Sequence, residues 1–86
     1  MKSKEEILAR LKEVVEGVSL GSRKAASIAD SDMLITGLGL DSLDYASVLL
    51  GMEQWLGIHI REEGVNWREI QSVSQLADFL RNEQGR

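Results

Sequence analysis

The residues best suited to chemistry in this chain are a hydroxyl and its setting, Gly39-Leu40-Asp41-Ser42-Leu43-Asp44. Gly37 and Gly39 allow a tight turn, because glycine reaches backbone conformations that a Cβ disfavours. Asp41 has the side chain of a helix N-cap, and a helical apolar pattern begins directly after it. Ser42 is therefore expected to stand exposed at a helix N-terminus. Unpaired backbone N–H groups and the positive end of the helix dipole favour a phosphate ester on such a hydroxyl.

Other reactive groups are few. His59 is the single histidine and there is no cysteine, so no disulfide framework or thiolate metal site is available. A nucleophilic serine needs a base in hydrogen-bond reach and a third group to orient that base. His59 has no obvious orienting partner in the local order and reads as a partly exposed packing residue, with a Ser42–His59 dyad as the alternative. Asp30, Asp32, Asp41 and Asp44 lack the spacing of a twelve-residue calcium loop and read as caps and a solvated acidic face. Gly37-Leu38-Gly39 is not followed by the lysine of a nucleotide phosphate loop. The expectation is no catalytic set and no metal site.

The elements that must position Ser42 follow from periodicity. Ser3 and Glu6 have capping-box spacing, and Ile7, Leu8, Leu11, Val14, Val15 and Val18 then repeat at helical intervals. Gly17 and Gly21 break that pattern, and a long loop follows to Leu40, anchored by Ile28, Met33, Leu34 and Leu38. A second helix is expected from Ser42 to Leu56, with Ala46, Leu49, Met52 and Leu56 facing the core. Leu43, Ser47, Leu50 and Gln54 fall on the opposite stripe, where an apolar patch rimmed by Asp44 and Glu53 would suit a partner; the alternative is that these leucines widen the buried stripe. Gly51, unfavourable inside a helix, implies close packing by a neighbour. A short third helix is possible between Glu62 and Ile70. Ser72 and Gln75 again have capping-box spacing, ahead of a final helix with Val73, Leu76, Ala77 and Leu80 on one stripe. Asn82 to Arg86 reads as a fraying tail. Leu11, Val15, Leu49, Leu56, Ile60, Leu76 and Leu80 should share the core.

Composition sets the outer limits. A chain of 86 residues supports one domain, 1–86, with one modest core. The net charge of −4 argues against nucleic acid or an anionic membrane as partner and favours basic protein surfaces. No apolar run reaches a transmembrane length and the Lys-Glu-rich start lacks a signal-peptide core, so a monomeric cytoplasmic protein is expected.

At Gly39 to Leu43 the chain resembles the acyl carrier protein family, whose Gly-x-Asp-Ser-Leu signature heads the second helix. The resemblance extends from about Ile7 to Leu80 and is strongest from Asp32 to Ile60, including Leu56-Gly57-Ile58-His59-Ile60. It implies an all-α fold, a small four-helix bundle with a long loop between helices one and two and a short third helix. It also implies a non-enzyme that holds acyl or aminoacyl groups as thioesters on a phosphopantetheine arm derived from coenzyme A. Ser42 would carry that arm, Asp41 would help a phosphopantetheinyl transferase engage, and Leu43 would be its first apolar contact. Further partners would be acyl-loading and acyl-transferring enzymes with basic surfaces, meeting Asp44, Ser47, Leu50, Glu53 and Gln54.

Carriers of primary fatty-acid synthesis resemble one another in a strongly acidic second helix, with an acid five positions after the modified serine. Here that position is Ser47, flanked by Tyr45, Ala46 and Val48, with Trp55 further on. The expectation is therefore a dedicated carrier of a specialised lipid, polyketide, surface-polysaccharide or aminoacyl route, including an aminoacyl or peptidyl carrier. Two other classes remain: a helical interaction module in which Asp41-Ser42 is only a helix start, and a minimal hydrolase.

Overall fold

The computed structural model describes residues 1–60 and 68–85. Among them the chain forms three α-helices, α1 (Lys4–Val18), α2 (Ser42–Leu56) and α3 (Val73–Glu83), with a 3-10 turn at Ala25–Ser27 between α1 and α2. The fold class is all-α, as the periodicity implies. Of the short helix expected at 62–70, residues 62–67 lie outside the described residues, while Arg68 and Glu69 form a turn. The helix expected last is α3.

α1 starts on the Ser3–Glu6 capping box, in which Glu6 N–H donates to Ser3 Oγ (3.2 Å) and Ser3 N–H to Glu6 Oε1 (3.1 Å). These Ser3 hydrogen bonds hold the Glu6 carboxyl below its usual pKa, so their stabilisation is present above the unfolded carboxylate range and is lost as pH falls through the folded value. Ile7, Leu11 and Val15 are buried, with Leu8, Val14 and Val18 packed beside them. α1 is the central element, packing against α2, α3 and the 3-10 turn. Gly51 shows why its position in α2 has no side chain: a Cβ there would come within 3.1 Å of Val14 Cγ1.

α2 buries Tyr45, Val48, Leu49 and Met52. This corrects the expected stripe by a fraction of a turn. Ala46 is exposed and Leu56 only partly buried, while Tyr45 and Val48, which the sequence offers only as neighbours of Ser47, belong to the core. Larger apolar side chains displace the small alanine because they remove more surface from water. Trp55 packs on the core beneath Lys2 Nζ and the Arg10 guanidinium, 5.1 and 5.6 Å from its ring centre.

The connection 19–41 is fastened to the N-terminus of α3. Val73 N–H donates to Asp32 O (3.0 Å), Ser74 N–H to Asp30 O (2.8 Å) and Leu34 N–H to Gln71 O (2.8 Å). Together with the Ser72–Gln75 capping box, these bonds satisfy the donors that the start of a helix leaves unpaired. Ile28, Leu34, Leu38 and Leu40 are buried beneath the connection, and Met33 is half-buried. At the other end α3 continues into the expected tail as far as Glu83, and the Gln84 side chain bonds both the N–H and the carbonyl of Lys2.

Two helix ends use the same geometry with different residues. Gly57 closes α2 with φ +68°, while its N–H and that of Ile58 donate to Glu53 O (2.8 and 3.2 Å). α1 ends in a Schellman arrangement, with Gly21 N–H on Glu16 O (2.9 Å) and Leu20 N–H on Gly17 O (3.1 Å). Here the left-handed residue is Leu20, at φ +55° and 94% exposed. A left-handed L-residue costs about 1–2 kcal/mol, against roughly 0.5–1 kcal/mol of extra chain entropy lost by glycine. Leu20→Gly should therefore raise stability by about 0.5–1 kcal/mol, read as a higher urea midpoint at unchanged slope; a lower midpoint would show that Leu20 contributes packing its exposure does not reveal. In the core, Leu49→Ala should cost about 2–5 kcal/mol, much of a small domain's stability, and a near-neutral urea midpoint would place Leu49 outside it.

Candidate functional site

The turn that delivers Ser42 to α2 is built from backbone. Gly37 and Leu38 N–H groups both donate to Met33 O (3.0 and 2.8 Å), Gly39 N–H to Ile35 O (3.0 Å) and Leu40 N–H to Leu34 O (3.2 Å). A Cβ on Gly37 would lie 2.8 Å from Met33 O, closer than any side chain tolerates. Gly39 has φ +74°, a left-handed conformation that glycine adopts without steric cost. The buried Leu38 and Leu40 side chains hold the turn from below.

Asp41 then caps α2 as expected, and the structure adds a partner for it. Asp44 N–H donates to Asp41 Oδ1 (2.8 Å), and Asp41 N–H points back to Asp44 Oδ2 at 3.5 Å. Asp44 is thus half of a capping box, a role that the Asp41-x-x-Asp44 spacing offers in the sequence but with a shorter acid than the usual Glu or Gln. Ser42 and Leu43 follow with their side chains exposed, Leu43 at 77%. Among the described residues their N–H groups have no acceptor, in contrast to the first two N–H groups of α3. An exposed hydroxyl beside two unpaired donors and a turn without side-chain bulk fits a phosphodiester-linked group at Ser42.

Along α2 the outer stripe carries Leu43, Ser47, Leu50 and Gln54, all exposed, with Leu50 at 56%. Its acidic rim is thinner than the sequence suggests. Asp44 is half-buried in the capping box, and the Glu53 carboxylate lies 3.5 Å from His59 Nδ1. His59 itself is a surface residue with its side chain 83% exposed. It follows the C-terminal end of α2 with its ring against Glu53, about three helical turns, roughly 16 Å, from Ser42 along the axis, so the two cannot form a dyad.

The remaining aspartates of the sequence cluster have separate structural roles. Asp30 pairs with Lys12 Nζ at 2.7 Å, and Asp32 Oδ2 accepts Ala29 N–H at 2.9 Å. Among the described residues no three metal-ligating side chains converge.

Two features near Ser42 have no local sequence signal. Tyr45, one helical turn along, forms part of the wall of a groove of about 260 Å³ with Leu34, Ile35, Thr36, Ile70 and Gln71; burial pushes its phenol up to about 12, which keeps it a neutral hydroxyl at physiological pH. Arg23 reaches across from the connection to Gly39, its Nη2 3.9 Å from where a Cβ would stand. The fifteen residues between them hide that proximity from any short motif.

No family model matches the chain. It is 36% identical over 73 residues to Acyl carrier protein 5, chloroplastic, of Arabidopsis thaliana, an alignment covering 79% of this chain and 51% of that protein. It is 33% identical over 79 residues to Nodulation protein F of Rhizobium leguminosarum bv. trifolii, covering 88% of this chain and 85% of that one. The chain thus spans about half the length of the plant relative and most of the rhizobial one. With these relatives beside the Gly39–Leu43 turn and its capped, exposed serine, the chain belongs to the acyl carrier protein family.

Proposed function

We propose that Ser42 is the attachment point of a phosphopantetheine arm and that the chain carries acyl groups for a specialised biosynthetic route. The observation that carries the first part is an exposed hydroxyl on the first turn of α2 beside two unpaired N–H groups. Loading is a displacement directed by a separate transferase: the Ser42 oxygen bonds to the phosphorus that bears the pantetheine in coenzyme A, the phosphoanhydride bond breaks, and the nucleotide part leaves. The hydroxyl proton passes to a base of the transferase or solvent. When bound, the arm supplies a thiol that holds cargo as a thioester, chemistry that this cysteine-free chain lacks. The chain's own contribution is position. Gly37 and Gly39 keep the approach clear, Asp41 and Asp44 fix the helix start, and the two N–H groups face the phosphate.

The specialised route rests on the outer stripe of α2 and on the resemblance to Nodulation protein F over most of that protein's length. Ser47 stands exposed between Leu43 and Leu50, where an acid would meet a basic partner. A partner face dominated by leucines derives its affinity from apolar contact and receives less electrostatic steering. The proposed contacts are Leu43, Asp44, Ser47, Leu50 and Gln54, with Glu53 on the edge toward His59.

Co-expression with a broad-specificity phosphopantetheinyl transferase should add the mass of one arm, mapped to Ser42. Ser42→Ala should abolish the gain and shift stability by no more than about 0.5 kcal/mol, as for other surface changes. An arm on another serine, or an alanine variant that still loads, overturns the assignment. For partner choice, Ser47→Glu should raise acyl transfer by a fatty-acid-pathway acyltransferase a few-fold at low salt, since an exposed ion pair contributes about 0.2–1 kcal/mol. That gain should shrink as salt screens it. Equal rates for wild type and variant at low salt would remove Ser47 as a basis for specificity.

A further inference from the structure

A cation beside the Ser42 turn, Arg23, is held there by a serine-braced bend. Ser19 Oγ accepts Arg23 N–H (3.1 Å) while donating to Glu16 O (3.0 Å), and Ser22 Oγ donates to Ser19 O (2.9 Å). These bonds fix the backbone of Arg23 at the exit of α1, from which its guanidinium crosses to Gly39, Nη2 lying 3.9 Å from the position of a Cβ. Gly39 and Ser42 are three residues apart, so their Cα atoms are separated by at most about 11 Å. Rotation about the side-chain bonds of an exposed arginine covers much of that span.

Charge supplies the reason for the cation to go there. A phosphodiester on Ser42 would place a negative charge beside the Asp41 and Asp44 carboxylates, which are turned into the same helix end by their capping bonds. Helix N–H donors offset part of that repulsion, and a cation within reach offsets more. Among the described residues no carboxylate lies within ion-pair distance of Arg23, so its guanidinium need not leave another partner. The planar fork of guanidinium donors matches two phosphate oxygens at once, which an ammonium cannot do.

We propose that Arg23 is a positioning residue that pairs with the phosphodiester on Ser42 and so fixes the direction in which the arm leaves the protein. This rests on the reading of Ser42 as the attachment site. The guanidinium is not needed for attachment and acts on the loaded state, where it restricts the root of the arm.

The test compares apo and loaded protein by nuclear magnetic resonance. In wild type, loading should move the Nε–Hε signal of Arg23 and leave those of Arg10 and Arg81 in place. The phosphorus resonance of loaded Arg23→Gln should differ from wild type at low salt and converge with it at high salt, with Arg23→Lys between the two. Intact mass should show complete loading of all three chains. If wild type gains no arm at Ser42, the attachment reading fails and this proposal with it. If the arm is present but the Arg23 signal does not move, or the phosphorus resonance of Arg23→Gln matches wild type at low salt, the pairing alone is overturned.

Discussion

The first backbone donors of a helix must find acceptors or remain open to solvent, and the structure resolves that requirement in opposite ways at two of its helix starts. At α3 the carbonyls of Asp30 and Asp32 take the N–H groups of Ser74 and Val73. These same bonds fix the middle of the connection 19–41, so satisfying α3 also immobilises the segment that leads to Ser42. Ile28, Leu34, Leu38 and Leu40 add buried anchors on either side. The turn at Gly37–Gly39 inherits its position from that fastening. Without it, the chain entropy of more than twenty connecting residues would blur the approach to α2.

How much of this is legible in the sequence depends on whether the signal is local. Ser3 with Glu6 and Ser72 with Gln75 mark helix starts that the structure reproduces as capping boxes, because the hydrogen bonds close within three residues. The bounds of α2 are legible for the same reason, with Asp41 at one end and Gly57 at the other. Its rotation about its own axis is not. Apolar residues at Leu43, Tyr45, Ala46, Val48, Leu49, Leu50, Met52, Trp55 and Leu56 surround the helix, and no single stripe stands out. Contact with Val14 at Gly51 fixes the face, burying Tyr45 and Val48 and leaving Ala46 outside. Arg23 beside Gly39 is a purely tertiary proximity, invisible until the bend after α1 is built.

Acidic composition also has a different meaning once the partners of each carboxylate are known. Net charge suggests a surface presented to basic proteins, yet much of the acid organises the chain itself. Glu6, Asp41 and Asp44 serve capping boxes, Glu16 Oε1 accepts Ala25 N–H at 2.8 Å, and Asp30 and Asp78 meet Lys12 and Lys4. Exposed pairs of this kind add little stability individually. On α2 itself Asp44 is taken up by the capping box and Glu53 lies beside His59, and Leu43 and Leu50 are the large apolar groups exposed on its outer face.

That division bears on how a carrier meets several enzymes in turn. Transient partners need a small interface that forms quickly and separates quickly. Leu43 stands next to Ser42, so under the proposed attachment an enzyme that covers Leu43 would also cover the root of the arm, whereas Leu50 lies two turns further and would extend the contact along the helix axis. Specificity can therefore be altered along the stripe, at Ser47 or Gln54, without disturbing the capped start. The left-handed Gly39 and the side-chain-free Gly37 belong to that start, and their backbone demands cannot be exchanged for other residues. The geometry of the proposed attachment site is thus set by the backbone and that of the proposed partner face by side chains, which lets one change while the other stays fixed.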